Sequence, residues 1–553
     1  MSKIKVAALG GIGENGKNMF VVEVDNRIFV LDAGLKYPEV DLYGVDAIIP
    51  NMDYLIENGN RIEGVFLSHA HEDHIGALPF LLQKIHTRVY GSNFTITLLE
   101  NLISQSNIDI RKTKLYRINT NKKYTFGNVN VSFFGTTHSI PESCGIVIET
   151  EDGSIVFAPD FNFHLPPTPA YQTEFDKITA LSNSNVLLAM TESIGISEVD
   201  RSNNDIMFEH IINSCLNTAT GKVFIGIYAT DLSRIQKVVD VASAQGYKVI
   251  LHFPTRDKIL NVALKNKYIT IPESSYVDYK TFNQSAHQKI VIILSGVGLQ
   301  PYRSVTKILN GQSKQFTMEK NDQVMFVSDP IPGTTKEALQ TLDLLARHDI
   351  KTIRVENKML RTSHATAEDL LMFYQMIKPK YIMPIVGEYR HLQRHYDLIE
   401  KQTAVNSEVL KLDNGKVIVF ENGSVSESEV IETGSFLVDG SLMDSVNDKV
   451  VEERNTLAEE GAVFILININ QRTRMLINNP VVYMKGCVLG GNVDEYKKNV
   501  SEMALKHATN ALKKGKFEQA YLQNLLETEV GRMTYRIYKR RPVIIPIINE
   551  MIQ

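Results

Sequence analysis

Apolar and polar positions in the first 35 residues fall into three short runs, Lys5–Leu9, Met19–Val24 and Arg27–Asp32. The last two are joined by an Asp25-Asn26 turn, which predicts a β-rich opening with a hairpin. The string Gly11-Ile12-Gly13-Glu14-Asn15-Gly16 fits GxGxxG, but a dinucleotide fold needs a helix after it. Here the next residues, NMFVVEV, read as another strand, so a glycine-rich β-turn is expected. Gly64–Leu67 is a short apolar strand, and Ile75–Ile85 has the apolar content of a helix packed on a sheet. Strands are expected again at Val129–Phe134, Gly145–Glu149, Ile155–Ala158 and Val186–Met190.

From about residue 198 the pattern changes to alternating helices and buried strands: Asn204–Leu216, Val223–Ile227, Ser233–Ala244, Lys248–Phe253, Val291–Leu294 and Val324–Val327. That alternation predicts a parallel α/β unit. Short strands return at Tyr381–Val386 and Val417–Phe420 after a helix at Ala367–Ile377, so the α/β unit reads as an insertion. A stretch rich in Ser, Gly, Glu and Asp, 421–450, reads as a crossing to a last unit. That unit has a strand at Ala462–Ile469, a helix over about 494–514 and a second helix. The expected division is 1–197 and 358–430 for one discontinuous domain, 198–357 for the insertion, 431–450 for the linker and 451–553 for the last domain.

Composition narrows the classes. The chain has 553 residues, 43% hydrophobic and 22% charged, enough for three or four folding units and too long for a peptide or a single small module. Its longest apolar stretches, Ala462–Ile469 and Val543–Ile548, fall far short of the ~20 residues a membrane helix needs. The opening MSKIKVAALGG lacks the pattern of a secretory signal, so no membrane partner and a cytoplasmic location are expected. Cys144, Cys215 and Cys487 suggest neither a disulfide framework nor a CxxC metal site. A net charge of −4 argues against nucleic-acid binding through bulk positive charge, while leaving room for a local basic groove. The basic run Lys539-Arg540-Arg541 reads first as a solvated helix terminus, with contact to RNA or a partner as the alternative.

Candidate chemistry concentrates in Ser68-His69-Ala70-His71-Glu72-Asp73-His74. Three of the 14 histidines fall in six residues, immediately after an apolar strand. A loop at a strand end turns such side chains towards one point, where imidazole nitrogens and a carboxylate suit zinc or manganese. One loop does not complete a two-metal site, so further ligands are expected from later strand ends. His138, in Thr136-Thr137-His138-Ser139 after the strand VSFF, and Asp160, after the strand IVFA, are the candidates.

In this order and spacing the residues resemble the metallo-β-lactamase fold with a β-CASP insertion. LGGIGENGKNMF, LDAGLKYPE, SHAHEDHIGALPFLL, TTHSIPES, KPKYIMPIVGEYR and KRRPVIIPI are similar, almost end to end, to the ribonuclease J family of bacterial 5′-to-3′ exoribonucleases and endoribonucleases. The resemblance implies an α/β fold: an αββα sandwich, an inserted parallel α/β β-CASP domain and a small α+β C-terminal domain that supports assembly. It also implies two divalent ions, Zn or Mn. His69, His71 and His138 would hold one, Asp73 and His74 the other, and Asp160 would bridge them. Hydrolysis would then use water whose pKa the cations lower towards ~7. His364, with Ser363 beside it in Arg361-Thr362-Ser363-His364-Ala365, matches the histidine that steadies the scissile phosphate. Asp73 and His364 are thus the implied catalytic residues, Ser363 and His364 the implied phosphate contacts, and single-stranded RNA the implied substrate.

Several positions depart from the family pattern. Active members carry a metal-ligating histidine where this chain has Val386, so the second ion is expected to bind weakly and activity to be reduced. Asp160 lies in Ala158-Pro159-Asp160 rather than TGD, and the acidic motif opening the β-CASP part is Thr191-Glu192-Ser193, with Glu for Asp. That extra methylene is expected to disturb the hydrogen bonds behind the ligands. The loop Ser295–Pro301 lacks the polar pattern expected of a phosphate contact. These changes resemble a divergent second paralogue that assembles as a homodimer or with an active partner, and a non-catalytic partner subunit is the alternative reading. Valine at this position is also found in DNA-cleaving β-CASP enzymes, a lesser alternative.

Overall fold

The computed structural model describes residues 2–552, apart from 39–41, 105–112, 165–167, 198–203, 255–256, 280–281, 283–288, 328–329, 331–333, 357–359, 361–362, 403–405, 423, 428–429, 441, 488–492 and 514–517. Both expected junctions of the insertion, 198–203 and 357–359, lie outside the described residues, as do Arg361 and Thr362. The chain divides into two compact units, Met1–Val40 with Ala47–Phe436, and Asp41–Asp46 with Leu437–Gln553.

The first unit is built on two face-to-face sheets. One runs in the order Ser424–Glu427, Val417–Glu421, Ile4–Gly10, Met19–Val24, Arg27–Leu31, Ile62–Phe66, Arg88–Gly91, Lys114–Arg117. The other runs Glu408–Val409, Tyr381–Pro384, Val186–Thr191, Gly153–Ala158, Cys144–Thr150, Val129–Gly135, Tyr124–Phe126. A single apolar cluster fills the space between them, with Phe20, Phe29, Phe66, Phe126, Phe133 and Phe157 from both sheets. Helix Asn93–Ile103 packs with the first sheet, against Arg88–Gly91 and Lys114–Arg117. Phe175–Ala180 and Ala367–Ile377 pack with the second through Ile178, Leu370 and Phe373. This is the αββα sandwich expected from the resemblance.

The expected helix at Ile75–Ile85 is instead two short helices, Glu72–Ile75 and Leu78–Lys84. Ala77 gives its N–H to the Ala33 carbonyl, 2.8 Å away, and Pro79 has none to give, so the helical ladder is interrupted there. The glycine-rich string forms turns and the two-residue strand Ile12–Gly13, which pairs with Gly387–Glu388.

The insertion is a five-stranded, all-parallel sheet among the described residues, ordered Lys248–His252, Ile290–Gly296, Val223–Tyr228, Gln323–Phe326, Lys351–Arg354. Four of its strands are buried through their centres, the pattern of a sheet covered by helices on both faces, and the edge strand Lys351–Arg354 is only half-buried at its centre.

In the second unit the strand Ala462–Asn470 pairs with Val481–Lys485 and Val543–Met551. Alternate residues Val463, Ile465, Ile467 and Ile469 point into a core closed by Tyr496, Val500, Leu522, Leu526 and Val530 of two long helices, Val493–Lys513 and Gln519–Tyr538. Residues expected to form a linker carry an antiparallel pair, Ser435–Asp439 with Leu442–Val446. Each strand is only five residues long, and the pair lies in a stretch rich in Ser, Gly, Glu and Asp, which masked its short apolar runs. No described helix is long and apolar enough to cross a membrane.

Candidate metal centre

Most of the chemically active side chains of the first unit lie in loops that follow the C-terminal end of a strand. Arg27–Leu31 and Ile62–Phe66 run parallel with Leu31 opposite Phe66, which brings Asp32 beside the start of the histidine loop. Asp32 has φ of +58°, and its carboxylate accepts from Ser68 N at 2.8 Å and Ser68 Oγ at 2.7 Å. Gly34 is required by close approach: a Cβ there would lie 1.5 Å from the Asp73 carbonyl oxygen. His138 follows Val129–Gly135, Asp160 follows Gly153–Ala158, and Glu192 follows Val186–Thr191.

Hydrogen bonds fix the donor set. Ser68 gives its hydroxyl proton to Asp32, so the His69 Nδ1–H donates to Ser68 Oγ at 3.0 Å and Nε2 keeps its lone pair. His138 Nδ1–H donates to the Ser363 carbonyl at 2.8 Å, again leaving Nε2 as a lone pair. His71 Nε2 lies 3.3 Å from the Thr230 carbonyl and 3.3 Å from Ser139 Oγ, and its Nδ1 faces the other two rings. His71 Nδ1 is 3.0 Å from His69 Nε2 and 3.2 Å from His138 Nε2. Three imidazole lone pairs therefore converge with no hydrogen between them, an arrangement that a shared cation satisfies. Burial pushes His69 well below the ordinary imidazole range, lowers His71, and takes His138 down to about 3. Neutral rings are what a divalent cation needs.

A second set adjoins it. His74 is fully buried and donates from Nδ1 to Asp32 Oδ2 at 2.7 Å. Its Nε2 lies 2.8 Å from Asp160 Oδ2 and 3.4 Å from Asp73 Oδ2, with the Asn18 amide 3.0 Å away. Burial alone would depress His74, but Asp73, Asp160 and Asp32 together carry it well above the usual range. Burial alone would raise Asp160, but the His74 and His364 rings beside it hold its carboxyl well below the ordinary carboxylate range. His69, His74 and Asp160 form one group with metal-compatible spacing, and His69, His71 and His138 another. Val386 adds no donor to the second set. It is fully buried within the intersheet core, at φ of +49°, with its carbonyl accepting from Ser193 N at 3.0 Å.

His364 reaches the same point from beside the helix Ala367–Ile377. Its Nδ1 lies 2.7 Å from Glu192 Oε2 and 3.0 Å from Asp160 Oδ1. Glu192, expected to disturb this layer, is fully buried and fully used: Oε1 accepts from Phe161 N at 2.7 Å and Ala365 N at 3.0 Å. Burial pushes its carboxyl up to about 7 against the pull of His364. Ser363 enters through its backbone carbonyl, which takes the His138 proton and the Asn162 amide at 3.2 Å.

All six expected metal ligands and His364 thus gather in one place. Asp32, Asn18 and Thr230 were not expected there. Asp32 alone left a trace in the sequence, as a polar residue ending an apolar strand next to the one that carries the histidines.

Known proteins share this architecture. Family models described as Beta-lactamase superfamily domain, Ribonuclease J beta-CASP domain, Zn-dependent metallo-hydrolase RNA specificity domain and Ribonuclease J C-terminal domain match residues 29–181, 220–345, 353–410 and 449–551. The chain is 30% identical over 548 residues to Ribonuclease J2 of Bacillus subtilis, covering 99% of each protein. It is 31% identical over 557 residues to Ribonuclease J 2 of Streptococcus pyogenes serotype M3, covering all of both. A solved structure of a protein of unknown function from Enterococcus faecalis V583 covers 76% of this chain and 100% of its own, with a TM-score of 0.53 and 18% identity, a likeness of fold.

Proposed function

The chain belongs to the ribonuclease J family and is a metal-dependent ribonuclease, and from that premise we propose that it is a weakened one, with one strong cation site and one weak. The observation that carries this reading is the contrast between the two ligand sets. His69, His71 and His138 offer three neutral lone pairs already facing one another, while the second set has His74, Asp73 and the shared Asp160, with a valine in the remaining turn.

Bound divalent ions, Zn or Mn, would supply Lewis acidity and an acidified water. The chain's own residues do the rest. Asp32 holds His74 and the histidine loop in register through Ser68. His364, kept protonated by Glu192 and Asp160 despite its burial, presents positive charge where a phosphate oxygen gains charge. Ser363 supports that position by fixing His138, and Asp73 completes the second set. The substrate in this reading is single-stranded RNA entered from a 5′ end, in the company of a second copy or an active paralogue. The division into a discontinuous lactamase-type domain, a β-CASP insertion and an assembly domain belongs to the same proposal.

The test is degradation of 5′-monophosphorylated single-stranded RNA in Mn²⁺ or Zn²⁺ by wild type and by the Asp73→Ala/His74→Ala double variant from one purification scheme. Cleavage by the wild type alone supports a working, weakened centre. Equal background from both defeats it and leaves the non-catalytic partner subunit.

A further inference from the structure

Of the three rings in the first ligand set, His69 is oriented by its chain neighbour Ser68 and His138 by Ser363, beside the lactamase-type helix Ala367–Ile377. His71 is oriented differently. Its Nε2 meets the Thr230 backbone carbonyl, on the turn between strand Val223–Tyr228 and helix Leu232–Ala244 of the inserted sheet, 159 positions along the chain. The other neighbour, Ser139 Oγ at 3.3 Å, is a hydroxyl that donates or accepts and so fixes no tautomer. A carbonyl only accepts. It therefore selects the Nε2–H form, the one form that leaves Nδ1 as a lone pair towards His69 and His138.

The turn that carries this carbonyl is firmly built. Ala229 N donates to Gly296 O at 3.0 Å, tying the turn to the neighbouring strand, and Asp231 N donates to Tyr228 O at 3.1 Å. Asp231 is buried and caps the following helix, accepting from Arg234 N at 3.1 Å and Ser233 Oγ at 3.0 Å while pairing with Arg234 Nη1 at 2.7 Å. The insertion is anchored to the sandwich elsewhere too: the Tyr268 hydroxyl donates to Glu142 Oε1 at 2.6 Å, and its ring meets Phe94 edge-on at 5.0 Å.

The geometry points to the Thr230–Asp231 turn as a positioning element of the first cation site, through which the seating of the inserted sheet sets the tautomer of His71 and hence the affinity of the site. This rests on the reading of His69, His71 and His138 as metal ligands. Coupling of this kind is reciprocal, so a bound cation also favours the seated insertion.

Zn²⁺ affinity of the full chain, measured by chelator competition at fixed pH, tests it in three variants. Asp231→Ala frees the turn and is expected to weaken the first site ~10- to 100-fold, the range for lost outer partners of a metal-bound histidine. Asp231→Asn retains a capping oxygen, and Ser139→Ala retains the carbonyl, so both should stay within about threefold of wild type. Wild-type affinity in Asp231→Ala, or an equal loss in Ser139→Ala, overturns the inference. Should Asp231→Ala fail to fold, imidazole nitrogen NMR shifts of metal-free wild type, assigned through His71→Gln, decide the matter: an Nε2-protonated His71 supports the assignment and an Nδ1-protonated ring sinks it. A wild type that takes up no Zn²⁺ defeats the metal reading and this inference with it, and the wild-type titration alone distinguishes that failure.

Discussion

Val386 sits at φ of +49°, where a β-branched side chain crowds its own backbone at a cost of ~1–3 kcal/mol. The turn is held there regardless, by Ile385 N on Thr191 O at 2.8 Å and Ser193 N on the Val386 carbonyl at 3.0 Å. Histidine tolerates that region better than valine. Val386→His is therefore expected to raise bound divalent metal from about one equivalent towards two and RNA hydrolysis roughly tenfold or more, as the second set gains a neutral donor. Elemental analysis after equilibration checks it, and an unchanged metal ratio would sink the account of the second site. Nearby, a buried chain of hydrogen bonds orders the same turn. Thr191 Oγ1 meets Tyr374 OH at 2.5 Å, Tyr374 OH donates to His395 Nε2 at 2.7 Å, His395 Nδ1–H donates to Ser193 Oγ at 3.0 Å, and Ser193 donates to Ile385 O at 2.9 Å. Burial holds His395 down to about 3, below its unfolded value near 6.5. Between those values the unfolded chain binds the extra proton, so this contribution is complete above pH ~6.5 and is lost as pH falls towards 3, by at most ~1.4 kcal/mol per unit. The metal-free wild type should lose more of its urea midpoint between pH 7 and 5 than His395→Gln; equal losses would remove His395 from the account. At this scale the HxHxDH spacing was legible, because consecutive residues of one loop share a destination. Asp32 and Thr230 were not, because their role depends on which strands become neighbours.

Loops cross above the strand ends, and two of them meet with no spare room. The Asp32-Ala33-Gly34 turn and the short helix Glu72–Ile75 exchange backbone hydrogen bonds, with Ala33 N on His74 O at 2.7 Å and Leu35 N on Glu72 O at 3.0 Å. A methyl group at Gly34 displaces the Asp73 carbonyl and with it both members of the Asp73-His74 pair. Gly34→Ala is expected to lower stability by ~2 kcal/mol or more, as overpacking against backbone does, and to abolish second-site binding before the first. A variant with wild-type urea midpoint and metal content would contradict the packing. The helix entry after His364 carries a capping box, Asp369 N on Thr366 Oγ1 at 3.2 Å and Thr366 N on Asp369 Oδ2 at 3.1 Å. Thr366→Ala should cost about 1 kcal/mol and reduce kcat more than KM, since the cap fixes the residues that carry His364. The strands that were expected lie within a residue or two of their places because alternation and apolar runs are local signals, while short ones such as Arg88–Gly91, Lys114–Arg117 and Lys351–Arg354 were not read. The helix break at Ala77 and the strands within 435–446 escaped because a tertiary hydrogen bond decided the first and the polar residues flanking two short strands masked the second.

The two units have separate apolar cores, one between the sheets of the sandwich and one around Val463, Ile465, Leu522 and Leu526. Both proposed cation sites lie in the first. A ligand that binds only the folded form stabilises by RT ln(1 + [L]/Kd), about 2.7 kcal/mol at a hundredfold excess over Kd, and acts only on the cooperative unit that contains the site. Without a cation the three lone pairs of His69, His71 and His138 stay crowded at 3.0–3.2 Å, so removal both withdraws binding energy and leaves repulsion behind. Chelation should therefore lower the unfolding temperature of the first unit by several degrees, more with Val386→His than with wild type, and leave the second unit's transition where it was. Calorimetry with and without chelator reads the shift, and hydrogen exchange of peptides within 462–551 identifies the unmoved transition. A shift of both transitions together would mean that the units unfold as one, and the separate cores would no longer account for the stability of the chain.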